Sequence, residues 1–285
     1  MATLYIVATP IGNLEDITLR ALRVLREVAL IAAEDTRKTK RLLSNYGIST
    51  RLTSYHQHSP SSKLSYLLQF LEKDDVALVS EAGMPGINDP GFQLIAAAIE
   101  KGIPAVPLPG PSVVTTALAI SGLPTDRFLY VGFLPRRRAD RRRLLETVKD
   151  EVATLVILEA PHRLHPSLAD MLEVLGDRRV AVCRELTKLY EEVWRGPLSG
   201  ALDHFQKPRG EFTLVIEGAA HSKRPEETAA INIEGELARL AKAGMGAREA
   251  VATVAQASGR PKKEVYQTWL QLKASARRSP EARHP

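Results

Sequence analysis

At 285 residues, with 44% hydrophobic and 25% charged side chains, the chain has the composition of an ordinary soluble globular protein and is long enough for two α/β cores and a small appendage. One cysteine, Cys183, excludes an internal disulfide framework and fits a reducing compartment; only 5% aromatics argue against a surface built on stacked rings. The net charge of +6 is uneven: from His221 onward there are 12 Lys and Arg against 7 Glu, while the first 220 residues hold 27 basic and 26 acidic groups, so a near-neutral body carries a basic end suited to a polyanion.

In chain order, apolar runs at 4–8, 30–33, 76–79, 105–108 and 128–131 alternate with amphipathic stretches such as 19–28, 37–45 and 92–101. Continuous apolar strands separated by helices predict a mostly parallel sheet covered on both faces. The strand beginning at Leu4 leaves no secretion signal to expect, and no apolar run reaches the roughly 20 residues that span a bilayer. Around 132–143 the composition shifts, with six arginines in the eight residues 136–143, read as a domain linker. A second unit follows, with strands at 153–158, 179–183, 192–195 and 212–217 and helices at 164–175 and 198–205, and its short connections predict a mixed sheet. Cys183 lies in one of these strands and reads as core. A polar linker at 219–228 leads to three helices at 233–243, 247–257 and 261–273. The turn Ser258-Gly259-Arg260 before Pro261 gives the last two a helix-turn-helix outline, with Lys262 and Lys263 placed to meet phosphate. The expected domains are therefore 1–134, 135–220 and 229–275, with a flexible tail at 276–285.

The chemistry points to three glycine- and proline-rich turns. Thr9-Pro10-Ile11-Gly12-Asn13 follows the first strand, the twelve residues 80–91 follow the strand at 76–79, and Pro109-Gly110-Pro111-Ser112 follows the strand at 105–108. Such turns let backbone approach a ligand closely, and three at one sheet edge predict a cleft at the carboxyl ends of the strands. Neither a Gly-x-Gly-x-x-Gly nor a Gly-Lys-Ser/Thr motif is present, so a dinucleotide or nucleoside triphosphate is not implied. His56-x-His58 lacks matching ligands, and no metal is expected.

These turns belong to a larger set of motifs. Leu-Tyr-Ile-Val-x-Thr-Pro-Ile-Gly-Asn-Leu-x-Asp (4–16), Ala-Glu-Asp-Thr-Arg (33–37), Gly-x-Pro-x-x-x-Asp-Pro-Gly (83–91), Pro-Leu-Pro-Gly-Pro-Ser (107–112), Gly-Phe-Leu-Pro (132–135), Pro-His-Arg-Leu (161–164), Arg-Glu-Leu-Thr-Lys (184–188) and Arg-Gly-Glu-Phe-Thr-Leu-Val-Ile-Glu-Gly (209–218) occur in this order. The set resembles the ribosomal RNA small-subunit methyltransferase I family over nearly the whole chain. The resemblance implies the tetrapyrrole-methylase fold, with two α/β domains (parallel sheet first, mixed sheet second), a small C-terminal helical domain, and a homodimer in the cytoplasm. It also implies S-adenosylmethionine (SAM) as cofactor and 2′-O-methylation of a cytidine ribose in 16S rRNA near the decoding centre, on free rRNA or the small ribosomal subunit. Carried over by position, Gly83, Met84, Pro85 and Asp89 hold the cofactor, with Ser112 and Thr116 opposite and Glu159, Ala160 and Leu214 closing from the second domain. Where the family pattern reads Ser-Asp-Ala-Gly-Thr-Pro, this chain has Glu81 and Met84; the latter removes a hydroxyl worth about 1 kcal/mol as a neutral hydrogen bond.

Methyl transfer to a ribose hydroxyl needs alignment and loss of a proton. Lys188 is the first candidate to help it, with Glu185, Asp35 and Glu34 beside it. Arg37 and Arg163 suit phosphate, as do Arg136, Arg137, Arg138 and Arg141 of the arginine run. Two alternatives remain: a tetrapyrrole methyltransferase, which the basic regions disfavour, and a non-catalytic RNA-binding factor, which only Glu81 and Met84 favour.

Overall fold

The computed structural model describes residues 2–87, 89, 91–219, 232–258 and 260–276 in two units, one ending at Ser222 and one beginning at Lys223. All of the expected linker but Ala219, the turn residue Gly259, and the expected tail from 277 onward lie outside the described residues.

The first unit opens with β1 (Leu4–Val7), α1 (Leu19–Glu27), β2 (Leu30–Ala33), α2 (Thr36–Asn45), β3 (Leu52–Ser54), α3 (Ser61–Phe70), β4 (Val76–Val79), α4 (Gly91–Glu100), β5 (Ala105–Leu108) and α5 (Val113–Ser121). The strands form an all-parallel sheet in the order β3-β2-β4-β1-β5. β2 and β4 are buried at every position, as both-face coverage requires. Val7, Ile31, Ala33 and Val79 pack with α1 and α2 on one face; Leu4, Ile6, Leu30 and Leu78 pack with α3 and α4 on the other. The three-residue β3 is too short to show alternation in the sequence. Helix starts are locally coded, with Thr18 accepting from Ala21 N and Asp35 from Arg37 N and Lys38 N.

The same unit continues with β6 (Phe128–Phe133), α6 (Arg138–Thr147), β7 (Thr154–Glu159), α7 (Pro161–Leu175), β8 (Arg179–Arg184), β9 (Glu192–Pro197), α8 (Leu198–His204) and β10 (Phe212–Ile216). These strands form a mixed sheet, β6-β7-β10-β8-β9, in which only β6 and β7 are parallel. The run at 128–131, which sequence periodicity adds to the first sheet, therefore belongs to the second. One face of this sheet packs on α6, α7 and α8. The other is covered by α5, whose Ala117 and Leu118 meet Val156, Ala181 and Val215. Cys183 lies in that layer and burial raises its thiol pKa to about 11, so it is a core residue.

The expected arginine linker is mostly helix α6, and much of its charge is neutralised internally. Arg141 is 4% exposed and pairs with Asp170 at 2.6 Å; Arg138 pairs with Asp170 at 3.0 Å, and Arg142 with Glu173. The apparent excess charge of the run is an α6–α7 clamp, and its seeming self-repulsion is relieved by two acids one helical turn apart.

The second unit holds α9 (Ile233–Lys242), α10 (Ala247–Ser258) and α11 (Lys262–Ala276) around Leu237, Val251, Val254, Val265 and Trp269. Lys262 and Lys263 are exposed at the start of α11.

Asp170 tests the clamp. Burial alone would raise its pKa, but hydrogen bonds and charge from Arg138 and Arg141 outweigh it and hold the carboxyl below its ordinary value. Its stabilising effect is therefore complete above the ordinary aspartate range of about 4 and fades as pH falls through the folded value. Asp170→Asn leaves Arg141 buried beside a neutral partner and is expected to cost about 3 kcal/mol in denaturant unfolding at pH 7. The variant should also lose less stability than the wild type on acidification below pH 4.

Candidate active site

β4, β1 and β5 are neighbours, so their carboxyl ends bring the three glycine-rich turns together. β1 and β4 also send their connections to opposite faces of the sheet, which makes this edge a topological switch point. The first two turns are tied by a reciprocal pair: Thr9 N donates to Gly83 O, and Gly83 N to Thr9 O, both at 2.9 Å. Thr9 Oγ1 also donates to Ser80 O, and Ser80 Oγ to Gly83 O. Gly83 has φ +81°, a conformation that disfavours any side chain. The third turn sits against the first so tightly that a Cβ at Gly110 would lie 2.9 Å from Ala8 Cβ.

The second sheet meets this edge through the loop after β8. Glu185 (φ +49°) and Thr187 (φ +65°) are both left-handed non-glycine residues, strain that persists only where surroundings impose it. The surroundings are specific. Asn13 N donates to Thr187 Oγ1 at 3.0 Å, and a Cβ at Gly12 would come within 2.5 Å of Lys188 Cγ and 2.8 Å of Leu186 O. Glu185 N donates to Glu211 O and Glu211 N to Glu185 Oε1, while Lys188 Nζ reaches Glu185 Oε1 at 3.0 Å and Glu211 Oε2 at 2.9 Å. A strained loop is thus wedged between the first-strand turn and the turn before β10.

Comparison with known proteins identifies the arrangement. Residues 3–202 match the family of Tetrapyrrole (Corrin/Porphyrin) Methylases, and residues 235–273 match the RsmI C-terminal HTH domain. Ribosomal RNA small subunit methyltransferase I of Halalkalibacterium halodurans is 46% identical, the match covering 94% of this chain and 95% of that one. The Escherichia coli O157:H7 protein of the same name is 44% identical over 94% of each. The chain belongs to the ribosomal RNA small subunit methyltransferase I family. Its first unit shares the fold of diphthine synthase (TM-score 0.61, 16% identity, 76% of this chain and 90% of that one). It shares it also with uroporphyrin-III-C-methyltransferase from Thermus thermophilus (TM-score 0.52, 22% identity, 77% and 95%).

Within this family fold, the residues expected to line the cofactor site divide. Gly83, Pro85 and Ser112 stand on the turns at the edge, Thr116 lies in the first turn of α5, and Ala160 is the N-cap of α7 at the end of β7 in the second sheet; Ser112 begins α5 without spending its side chain on a cap bond. Met84 lies on the turn but packs on the core under α3 and α4. Asp89 is a brace: its Oδ1 accepts from Gly86 N at 2.8 Å and Gly91 N at 2.7 Å, and burial outweighs these bonds to raise its pKa. Glu159 and Leu214 are engaged within the second sheet. Glu159 is 1% exposed and fully engaged, by Arg163 at 2.5 Å, Ser167 Oγ at 2.6 Å and Ala160 N at 2.9 Å. Leu214 alternates onto the α7–α8 face of a central strand, away from the α5 side.

The charged expectations change too. Asp35 is the N-cap of α2: its Oδ1 accepts from Arg37 N and Lys38 N, which hold its pKa below the ordinary value, and its Oδ2 faces the Arg37 guanidinium at 3.6 Å, so both oxygens are engaged. Burial opposes charge on Lys188, but Glu211 and Glu185 overcome it and raise the pKa, which favours the ammonium form and suits it to hold the two carboxylates. Glu185 is held ionised, since the Glu211 N–H and Lys188 outweigh its burial. Arg163 is locked to Glu159 and to Leu134 O, and Arg141 to Asp170, so neither is placed for RNA. Glu34 Oε2 accepts from Glu81 N, and Lys38 pairs with Glu81, so the unusual Glu81 is tied to α2.

Sequence reasoning misses Gly12 as a contact residue and Glu211 as the partner of Lys188. Both lie within quoted motifs, but only the fold brings 12, 187 and 211 together. Gly12→Ala is expected to destabilise by about 1–3 kcal/mol, because the new methyl group meets a backbone carbonyl as well as movable side chains. Differential scanning calorimetry checks this, and an unchanged Tm contradicts the close seam.

Proposed function

We propose that the chain is a SAM-dependent rRNA methyltransferase that methylates the 2′-oxygen of a cytidine ribose in 16S rRNA, acting on the free RNA or the small ribosomal subunit in the cytoplasm. Family membership carries the reaction class. The three turns joined at the carboxyl edge of β4-β1-β5 carry the location of the cofactor.

The edge fits SAM in its chemistry. None of the turns 9–13, 80–89 and 109–112 contains lysine or arginine, which suits a cofactor without phosphates. Gly83 offers backbone without a side chain, and Ser112 offers a hydroxyl unused by its helix cap. Gly83, Pro85, Ser112, Thr116 and Ala160 would hold SAM, with Met84 supporting the turn through its packing. When bound, SAM supplies a methyl group on a positively charged sulfur.

Of the four acid–base candidates, Glu185 remains for the proton of the ribose hydroxyl. Its Oε1 is occupied by Lys188 and Glu211 N, leaving Oε2 to accept. Lys188 keeps that carboxylate ionised and in place. Arg37, Arg136 and Arg137 of the first unit, and Lys262 and Lys263 of the second, are exposed and suit RNA phosphate, with Arg138 shared between this role and its acids. The family resemblance supports a homodimer. The exposed apolar row of Phe92 (67%) and Ile99 (60%) on α4 is a surface for it, so Phe92→Asp should lower the sedimentation mass from two chains to one.

Methyl transfer from radiolabelled SAM to methyl-deficient small subunits tests the reading, with calorimetric SAM binding beside it. Glu185→Gln should lower kcat by about 100-fold or more while leaving SAM affinity within about twofold. Absence of SAM binding by the wild type contradicts the proposal, and transfer to a tetrapyrrole in place of RNA favours the other enzyme class.

A further inference from the structure

We propose that the outer carboxyl edge of the first sheet, formed by the exposed side of α2 and the loop after β3, is a docking surface for the phosphate backbone of RNA flanking the target nucleotide; this rests on the rRNA reading above. With three of the six arginines of the run paired to Asp170 and Glu173, the densest cationic surface expected from sequence is weakened. α2 supplies another. Arg37, Lys40 and Arg41 are exposed at i, i+3 and i+4 on one side of the helix. Among the described residues no carboxylate lies within ion-pair distance of Lys40 or Arg41, and Arg37, its side chain 92% exposed, meets Asp35 only at 3.6 Å. Asp35 is itself occupied in capping α2.

The position of this surface is what gives it a role. α2 begins directly beyond the carboxyl end of β2, which lies beside β4 and its glycine-rich turn. Glu34 and Lys38 both bind Glu81 of that turn, so the start of α2 is joined to the rim of the cofactor site. One strand further out, Tyr55 N donates to Ala33 O at 2.8 Å and leads into the exposed loop His56-Gln57-His58. The two histidine rings stand edge to face with centroids 6.4 Å apart, offering flat surfaces to unpaired bases. A strand of RNA whose target ribose enters the cleft can continue along this edge, its phosphates meeting Arg37, Lys40 and Arg41.

The test compares the wild type with Arg37→Ala/Lys40→Ala/Arg41→Ala, using small ribosomal subunits as the RNA probe. KM for the subunit should rise at least tenfold, and the slope of log affinity against log salt should become shallower by about two to three, roughly one for each phosphate left without its cation. SAM affinity and Tm should stay at wild-type values, since all three side chains are exposed. His56→Ala/His58→Ala should raise KM several-fold, and a wild-type KM there removes the loop from the surface. A triple variant with wild-type KM and salt slope, alongside an active wild type, overturns the docking surface alone. A wild type that neither binds nor methylates the subunit overturns the rRNA reading and the surface together.

Discussion

The reciprocal hydrogen bonds between Thr9 and Gly83 are the constraint on which the site depends. A parallel sheet leaves the turns at its carboxyl edge free to take many paths, because they pair with nothing once the strands end. Here two turns from neighbouring strands are joined as a short antiparallel bridge, and Thr9 Oγ1 and Ser80 Oγ add side-chain bonds to carbonyl groups of the second turn. Gly83 can take its place in that bridge only with φ +81°. The third turn is then located by contact, Gly110 against Ala8. A rigid, backbone-lined edge follows from a few atoms.

The second constraint joins the two sheets. α5 comes from the first half of the chain but covers the second sheet, so the halves share a hydrophobic layer of Ile11, Ala117, Leu118, Val156, Ala181 and Val215. Above that layer the strained 185–188 loop presses on Gly12 and is braced by Glu211. The position of the Glu185 carboxylate is thereby set by packing across the sheets and by an ion-paired lysine. Strain in Glu185 and Thr187 is tolerated because three separate segments impose it.

Much of this is legible in the sequence, for identifiable reasons. Strands buried on both faces read as continuous apolar runs, and glycine and proline mark each turn, so the parallel sheet and the gathering of turns at its edge can be anticipated. Periodicity puts β6 in the wrong sheet because it reports burial and says nothing of which neighbour a strand pairs with. The arginine run misleads for a related reason: Asp170 and Glu173 lie some thirty residues away, and only the α6–α7 packing brings them to Arg138, Arg141 and Arg142. Glu159 and Leu214 follow the same logic, since the strands that carry them are readable and the directions of their side chains are not. Lys188 stands out in the sequence, but one of the two carboxylates that hold it, Glu211, belongs to a different motif.

The proposed SAM site lies against the turns at the carboxyl edge of β4-β1-β5. Hydrogen–deuterium exchange of the full chain, with and without saturating SAM, measures this directly. Backbone amides in 9–13, 80–87 and 110–116 should exchange more slowly when SAM is present, while those of α6 and α8 stay unchanged. Protection confined to other segments, with these turns unaffected, would contradict the account.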